Sequence, residues 1–437
     1  MPSVYFQTFG CQMNAADSDA VRALLSGRGF ELCGSPADSD LIVVNTCSVR
    51  EAAERRAKSR IAEFAGGKKA RAGQRLWVIG CMAERLGDKL KEEIPGVDLG
   101  AGAKQMERSG EAVEAHFPKG GAYVGINANG GCDVSGVERL SPPLFSKAAV
   151  TGFVPVMRGC DNYCAYCVVP YVRGNERSVP YEAIESTVKE KVGSGVKEIT
   201  FLGQNVNSYN HGGIDFPELL SRMAGISGLE RIRFTTSHPK DCTERLVGVV
   251  ASSQKFASHI HLPVQAGSDR ILALMNRKYT AESYRSLLDM IRTRLPRADI
   301  TSDIMVGFPT ESDAEFRETL ELVRCARFTT AFMFAYSPRA GTAAASMEEG
   351  ISKAEKMARL SELIALQTGI TREIYDKTVG EELEVLVTER QQKRDLAWMG
   401  QDAGCKRVLI SCEGLAAGTI LKVKAVRSSG MTLIAEC

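Results

Sequence analysis

The chain has 437 residues, 44% hydrophobic and 25% charged, with a formal net charge of +2. That length and balance fit a globular protein of about two to four domains with ample chain for a core. They exclude whole-chain electrostatics as a guide to partners, so any nucleic-acid surface must be local. No apolar run approaches the length of a membrane span, and Met1-Pro-Ser-Val-Tyr5 lacks the basic start and apolar stretch of a secretory signal. A cytoplasmic protein with no membrane partner is the expectation. In that compartment thirteen cysteines, an odd number, point to metal or reactive thiols rather than a disulfide frame.

In chain order, residues 4–9 read as a strand and 17–27 as a helix. Leu41-Ile-Val-Val-Asn45 is a short apolar run, the mark of a buried parallel strand. A charged helix over 51–65, a buried strand at 76–79 and a helix over 83–93 follow. This alternation predicts an N-terminal α/β domain with a parallel sheet, residues 1–119. Residues 120–145, rich in Gly, Asn, Ser and Pro, read as a linker.

Residues 146–375 repeat strand and helix six times, with strands at 152–157, 198–202, 231–235, 258–262, 299–306 and 329–335. Helices are predicted at 181–192, 282–293 and 313–326, and one over 353–375 closes the domain. Six such units describe a partial (β/α)6 barrel, whose working face lies at the strand C-terminal ends. Residues 376–437 change character. Strands at 383–387, 408–411, 420–425 and 431–435, broken by Gly and charge, predict a small C-terminal β-barrel.

Cys160-Asp-Asn-Tyr-Cys164-Ala-Tyr-Cys167 places three thiols in eight residues, directly after an apolar strand. An iron–sulfur cube has four irons and usually takes a thiolate on each. Three thiolates leave one iron open, and an open metal position is where chemistry happens. The alternatives are a zinc site, for which no fourth ligand lies nearby in sequence, or buried structural thiols.

Cys11, Cys47 and Cys81 each lie just beyond a predicted parallel strand, so their loops should emerge at one edge of one sheet, where open α/β sheets bind ligands. Gly10 and Gly80 allow close backbone approach. The trio reads as a second three-thiolate cluster or, alternatively, as three small buried hydrophobes. The other seven cysteines, Cys33, Cys132, Cys242, Cys325, Cys405, Cys412 and Cys437, are assigned to packing or surface.

At the strand ends, Gln204, Asn205, Ser237 and Gln265 can hydrogen-bond a ligand, and Gly307 lacks a side chain where a ring could enter. Ordinary loop capping is the competing role for each. His259 and His261 sit at strand period and read as packed. Between Arg50 and Arg75, nine basic residues face three acidic ones, a patch suited to phosphate or, equally, a solvated helix face with pairs such as Glu51–Arg55 and Glu54–Lys58.

Thr8-Phe-Gly-Cys-Gln-Met-Asn14, Asn45-Thr-Cys-Ser-Val-Arg-Glu51, Gly80-Cys-Met-Ala-Glu-Arg85 and Arg158-Gly-Cys-Asp-Asn-Tyr-Cys-Ala-Tyr-Cys-Val-Val-Pro-Tyr-Val-Arg-Gly174 resemble the radical S-adenosylmethionine (SAM) methylthiotransferases, closest to the MiaB type. Gly203-Gln-Asn-Val-Asn-Ser-Tyr209, Phe234-Thr-Thr-Ser-His-Pro239, His261-Leu-Pro-Val-Gln-Ala-Gly-Ser-Asp269 and Val306-Gly-Phe-Pro-Thr-Glu311 continue the likeness over essentially the whole chain. The resemblance implies a methylthiotransferase domain, a partial radical SAM barrel and a TRAM domain. It implies two 4Fe-4S clusters, one on Cys160, Cys164 and Cys167 and one on Cys11, Cys47 and Cys81. It also implies SAM at the open iron of the first, with Tyr166 as the aromatic that usually precedes the third cysteine. The family reaction makes a 5′-deoxyadenosyl radical, removes hydrogen from carbon 2 of isopentenyl-adenosine beside the tRNA anticodon, and delivers methylthio there. The substrate is then tRNA, the electron donor a reductase or flavodoxin-type protein, and the chain a monomer. Sister activities on threonylcarbamoyl-adenosine or a ribosomal protein, and a non-catalytic iron–sulfur RNA-binding protein, are the alternatives. Met399-Gly-Gln-Asp-Ala-Gly-Cys-Lys-Arg-Val408 departs from the family pattern in the C-terminal domain, and Arg339-Ala-Gly-Thr342 replaces the usual Arg-Pro-Gly-Thr.

Overall fold

Leu41–Thr46 is buried at all six positions and is the central strand of a five-stranded sheet. The computed structural model describes residues 1–49, 51–68, 73–108, 149–391 and 397–437. The expected linker, together with Cys132, Arg50, Lys69, Arg71, Lys393 and Arg394, lies outside the described residues. The chain divides into two compact units, one of residues 1–146, 158–161 and 167–187, the other of residues 147–157, 162–166 and 188–437.

In the first unit the strand order is Glu31–Leu32, Ser3–Thr8, Leu41–Thr46, Arg75–Gly80, Leu99–Gly102, with every pairing parallel. Alternate side chains of a strand point to opposite faces. Ile42, Val44, Leu76 and Val78 accordingly pack against Ile61 and Phe64 of the helix Glu51–Gly67. Val4, Val43, Trp77 and Ile79 pack against Val21 and Leu25 of the helix Gln12–Ser26. That helix starts directly after Cys11, five residues earlier than periodicity predicts, because its first two turns carry polar residues that are buried, Asn14, Asp17 and Ser18. The helix expected over 83–93 is two, Cys81–Leu86 and Lys89–Glu93, interrupted at Gly87 with φ of 53°.

In the second unit six strands lie side by side in sequence order: Thr151–Pro155, Glu198–Leu202, Arg231–Phe234, His259–His261, Asp299–Val306 and Thr330–Ala335. All pairings are parallel. The third and fourth strands meet through an Ile232–Phe256 bridge and the bonds Ile232 N–H to Lys255 O (2.7 Å) and Ala257 N–H to Ile232 O (2.9 Å). This is the expected (β/α)6 arc. The helices Ala281–Arg294 and Asp313–Ala326 each begin with a capping box, Thr280 with Ser283 and Ser312 with Glu315, which satisfies otherwise orphaned first-turn N–H groups.

The C-terminal segment is a closed barrel of Glu382–Arg390, Ala397–Asp402, Arg407–Ser411, Thr432–Glu436 and Ile420–Ser429 in spatial order. Sequence patterning misses Ala397–Asp402, where Gly400 sits so close to Leu386 that a Cβ there would lie 2.7 Å from its carbonyl oxygen. Arg407–Ser411 and Thr432–Glu436 pair in parallel with Ser411 opposite Glu436, so the next residues, Cys412 and Cys437, meet. They form a disulfide with Cα atoms 6.2 Å apart. These two thiols are therefore cross-linked, not merely packed or exposed as expected. The parallel register that joins them is invisible to local pattern.

The small barrel docks on the starts of the arc strands. Arg231 donates to the carbonyls of Gln401 (3.1 Å) and Asp402 (3.2 Å) and to Glu384 (3.0 Å). Arg233 binds Glu198 (2.7 Å), the Asp402 carbonyl (2.6 Å) and the Gly404 carbonyl. Lys406 reaches both oxygens of Asp299, at 2.7 and 2.8 Å. The segment that departs from the family pattern is thus the segment seated on the arc. Among the described residues no helix is long and apolar enough to cross a membrane.

Candidate metal centres

Thr8, Asn45 and Ile79 are register partners on three neighbouring parallel strands, and Cys11, Cys47 and Cys81 follow them within three residues. Two positive-φ glycines permit the approach. A Cβ on Gly10 (φ 117°) would lie 2.7 Å from the Cβ of Cys47. One on Gly80 (φ 96°) would lie 2.5 Å from the Thr46 carbonyl oxygen and press on Asn45. Asn14 and Asn45 lock the first helix to the central strand. Asn14 donates to Asn45 Oδ1 (2.9 Å) and Thr46 O (2.8 Å), and Asn45 donates to Asn14 O (2.8 Å) and Ser18 Oγ (3.0 Å). The Cys11 thiol donates to Asn14 Oδ1 at 3.2 Å.

Cys47 and Cys81 are buried and Cys11 is exposed, and none of the three is in a disulfide. Burial pushes the Cys81 thiol up to about 11, opposed by the Arg173 guanidinium and reinforced by Cys47 and Cys11. Cys81 thus lies within electrostatic reach of both Cys47 and Cys11. Among the described residues no three His, Cys, Asp or Glu side chains are gathered around a single metal ion. A cube does not require that. It gives each thiolate its own iron, whereas one tetrahedral ion at ~2.3 Å from each sulfur pulls its ligands to within about 4 Å of one another. Three thiols on neighbouring strand ends fit the larger group.

Sequence reading misses the charged residues beside this trio. Asp17, fully buried, accepts from Arg158 (2.7 Å) and Arg173 (2.9 Å). Burial alone would raise its carboxyl, but the two guanidinium groups outweigh that and hold it below the ordinary value. Arg158 and Arg173 bracket the Cys160–Cys167 run in sequence, the one signal that could have marked them. Within the same unit Cys160 N–H donates to Gly174 O (3.2 Å) and Val169 N–H to the Cys167 sulfur (3.5 Å).

In the second unit the middle of the cysteine run is held by residues 275–277. Ala165 N–H donates to Met275 O (2.9 Å), Asn276 to Tyr163 O (2.9 Å), and Arg277 to the Cys164 sulfur (3.2 Å). Tyr166 packs against the buried cluster that includes Ala266, Met275 and Phe308. The strand-end residues proposed for SAM are arranged as follows. Gln204 is half-buried. Asn205 is buried, donates to Asp241 Oδ2 (2.8 Å), and keeps its amide oxygen without a partner. The Ser237 hydroxyl is likewise buried and unpaired. Val206 N–H to Thr236 O (3.0 Å) and His238 N–H to Asn207 Oδ1 (2.9 Å) stitch these two loops together. Gln265 is buried at φ 71°, its backbone bonded to Asp303 and Met305. Gly307 (φ 69°) differs from expectation. The space its side chain would take is filled by Lys356, whose Cγ would be 2.5 Å from a Cβ, so it is not open to an adenine from that side.

His238 Nε2, Glu311 Oε1 and the Tyr336 hydroxyl are also buried without a partner. Unpaired buried polar atoms are costly and rare, and these five all lie in segments that leave the C-terminal ends of strands in the second unit. Burial, aided by Arg277 and Lys240, pushes His238 down to about 2, so it is a neutral imidazole. His259 and His261 both bond Thr301 Oγ1, at 2.8 and 2.9 Å, a packed role as their period predicts.

The basic stretch after Cys47 is partly neutralised. Lys58 pairs with Glu93 (2.7 Å), Arg60 with Glu63 (2.5 Å), and Lys68 and Arg75 with Asp98. The solvated-face reading fits these four, while Arg55 and Arg56 remain exposed.

A partial barrel with a CxxxCxxC run, preceded by a parallel α/β domain with its own cysteine trio, defines a radical SAM enzyme with an accessory N-terminal domain. Residues 154–323 match the Radical SAM superfamily and residues 3–102 match the Uncharacterized protein family UPF0004. Two relatives, from Carboxydothermus hydrogenoformans and Geobacter metallireducens, are both named tRNA-2-methylthio-N(6)-dimethylallyladenosine synthase. The first is 39% identical over 97% of this chain and 96% of its own; the second is 41% identical over 99% and 98%. The chain belongs to this family of radical SAM methylthiotransferases. Its fold is shared with the radical S-adenosylmethionine methyltransferase TsrM of Kitasatospora setae (TM-score 0.59, 12% identity, 79% of this chain and 77% of that one). It is also shared with the cobalamin-dependent radical enzyme OxsB (TM-score 0.53, 13% identity, 85% and 56%).

Proposed function

We propose that this protein adds a methylthio group to carbon 2 of N6-isopentenyl-adenosine next to the tRNA anticodon. The observation that carries the reading is the Cys11, Cys47 and Cys81 trio on three neighbouring parallel strand ends, in a chain that also carries Cys160, Cys164 and Cys167. Near-full-length similarity to relatives named for this product supports it. Each trio holds a 4Fe-4S cluster with one iron free of protein. When bound, the clusters and SAM supply the radical that removes hydrogen from an unactivated ring carbon and the sulfur that replaces it.

The chain's own residues bind and position. Asn205, Ser237 and Gln265 offer polar contacts to SAM, with Gln204 beside them, Tyr166 lines the site and Gly307 shapes the strand turn. Asn14, Asn45 and Asp17 fix the strand ends that carry the N-terminal trio. The reading includes a reductase or flavodoxin-type electron donor, a monomeric chain and a cytoplasmic location.

Iron and sulfide counting on the anaerobically purified chain tests the ligands. Two cubes are expected in the wild type, and replacement of Cys11, Cys47 or Cys81 should remove one while reductive SAM cleavage persists. Nucleoside profiling of tRNA from cells lacking the protein tests the product. Unchanged methylthio-isopentenyl-adenosine would reject it.

A further inference from the structure

Arg277 is a buried cation without a carboxylate. Only 8% of the residue is exposed. Its Nε donates to the Tyr279 hydroxyl (2.9 Å), its Nη2 to the Pro263 carbonyl (3.1 Å) and its Nη1 to the Cys164 sulfur (3.2 Å). The guanidinium also lies 5.0 Å from the centre of the Tyr279 ring. Among the described residues no Asp or Glu pairs with it. A charge held away from water needs a counter-charge, and a carbonyl and a phenol supply only dipoles. Burial pushes the Tyr279 phenol up to about 12 and keeps it neutral, so among the hydrogen-bond partners of Arg277 the one that carries negative charge once it ligates a metal is the Cys164 sulfur.

We infer that Arg277 is a positioning residue that sets the reduction potential of the cluster held by Cys160, Cys164 and Cys167. This rests on the reading of Cys164 as a cluster ligand. A 4Fe-4S cluster held by these cysteines would carry one more negative charge in its one-electron-reduced form. A charge-assisted hydrogen bond to a ligand sulfur strengthens as that sulfur gains electron density. Hydrogen bonds to cluster sulfurs are among the terms that set such potentials. Arg277 therefore favours the reduced form. The main-chain hold on the same loop is separate, since Ala165 N–H binds Met275 O and Asn276 binds Tyr163 O. The loop keeps its anchor when the guanidinium is removed.

The test is a redox titration, followed by electron paramagnetic resonance, of the full-length chain in a Cys11→Ala background, where a single cluster remains. Arg277→Gln should shift the oxidised-to-reduced ratio at fixed potential at least tenfold toward oxidised, about 59 mV lower for a one-electron couple. Arg277→Lys, which keeps a cation, should shift it less, and Tyr279→Phe should leave it in place. An unshifted midpoint in Arg277→Gln with full iron content overturns the inference. If that variant fails to hold iron, the Arg277→Lys midpoint decides, a fall supporting the inference and no change overturning it. Cys164→Ala separates the two claims. Unaltered iron there overturns the ligand reading itself, and loss of one cube beside an unshifted Arg277→Gln midpoint overturns only the role of Arg277.

Discussion

Asp17 and Arg173 form an ion pair of 2.9 Å in which the carboxylate is wholly buried. Arg158 completes the group from the other side of the cysteine run at 2.7 Å. Asp17→Asn leaves two buried guanidinium groups without a carboxylate partner among the described residues and should cost about 3–5 kcal/mol in urea unfolding. The pH dependence has a definite sign. A carboxyl held below its ordinary value contributes fully above that value, ~3.9, and loses the contribution as pH falls through the depressed one. Wild-type stability should therefore decline below about pH 4, and this part of the decline should vanish in Asp17→Asn.

Gly80 and Gly29 both have positive φ, but only Gly80 is crowded. Gly29→Ala should cost about 1 kcal/mol from backbone strain alone. Gly80→Ala adds a Cβ against Asn45 and Thr46, so it should cost about 1–3 kcal/mol and lower the iron content by one cube. Iron and sulfide assays beside urea curves distinguish strain from displacement of the strand end.

Lys406 and Asp299 hold the C-terminal barrel to the arc. Lys406→Met strands a buried carboxylate and should destabilise by about 3–5 kcal/mol. The double variant with Asp299→Asn should recover part of that loss, with a coupling of about 0.5–3 kcal/mol. Strictly additive unfolding energies would show that the pair contributes nothing specific.

Reducing Cys412–Cys437 opens a loop with a sequence separation of 25 residues. Chain-entropy arguments give about 3 kcal/mol for a closure of that size. Cys412→Ser should lower the unfolding temperature of the oxidised protein and leave that of the reduced protein nearly unchanged, as read by calorimetry with and without reductant.

Ser237 carries a buried hydroxyl with no partner. Ser237→Ala should weaken SAM binding about three- to tenfold, the worth of one hydrogen bond. The free protein should lose no stability, because the orphaned group goes with it. Equilibrium dialysis and urea unfolding read the two effects independently.

Much of this molecule is legible from local pattern. Leu41-Ile-Val-Val-Asn45 announces a strand covered on both faces, and the three cysteines that follow such runs could be placed at one sheet edge because parallel strands share a direction. What escapes is contact between distant positions. Arg158 and Asp17 are 141 residues apart and Arg277 and Cys164 are 113 apart. No periodicity links such pairs. The Ala397–Asp402 strand escapes for another reason. Its central glycine and polar residues carry little strand signal, and closure of the barrel supplies the pairing that its own side chains do not advertise.

The strand Arg231–Phe234 serves two purposes along one short run. Its first residues grip the C-terminal barrel through Arg231 and Arg233, and the loop leaving its far end carries Ser237 and His238 with unpaired atoms. Damage within a few residues of chain should thus fall into two phenotypes. Changes at the entry should loosen a domain, and changes at the exit should spare the assembly and, under the role proposed for Ser237, weaken SAM binding.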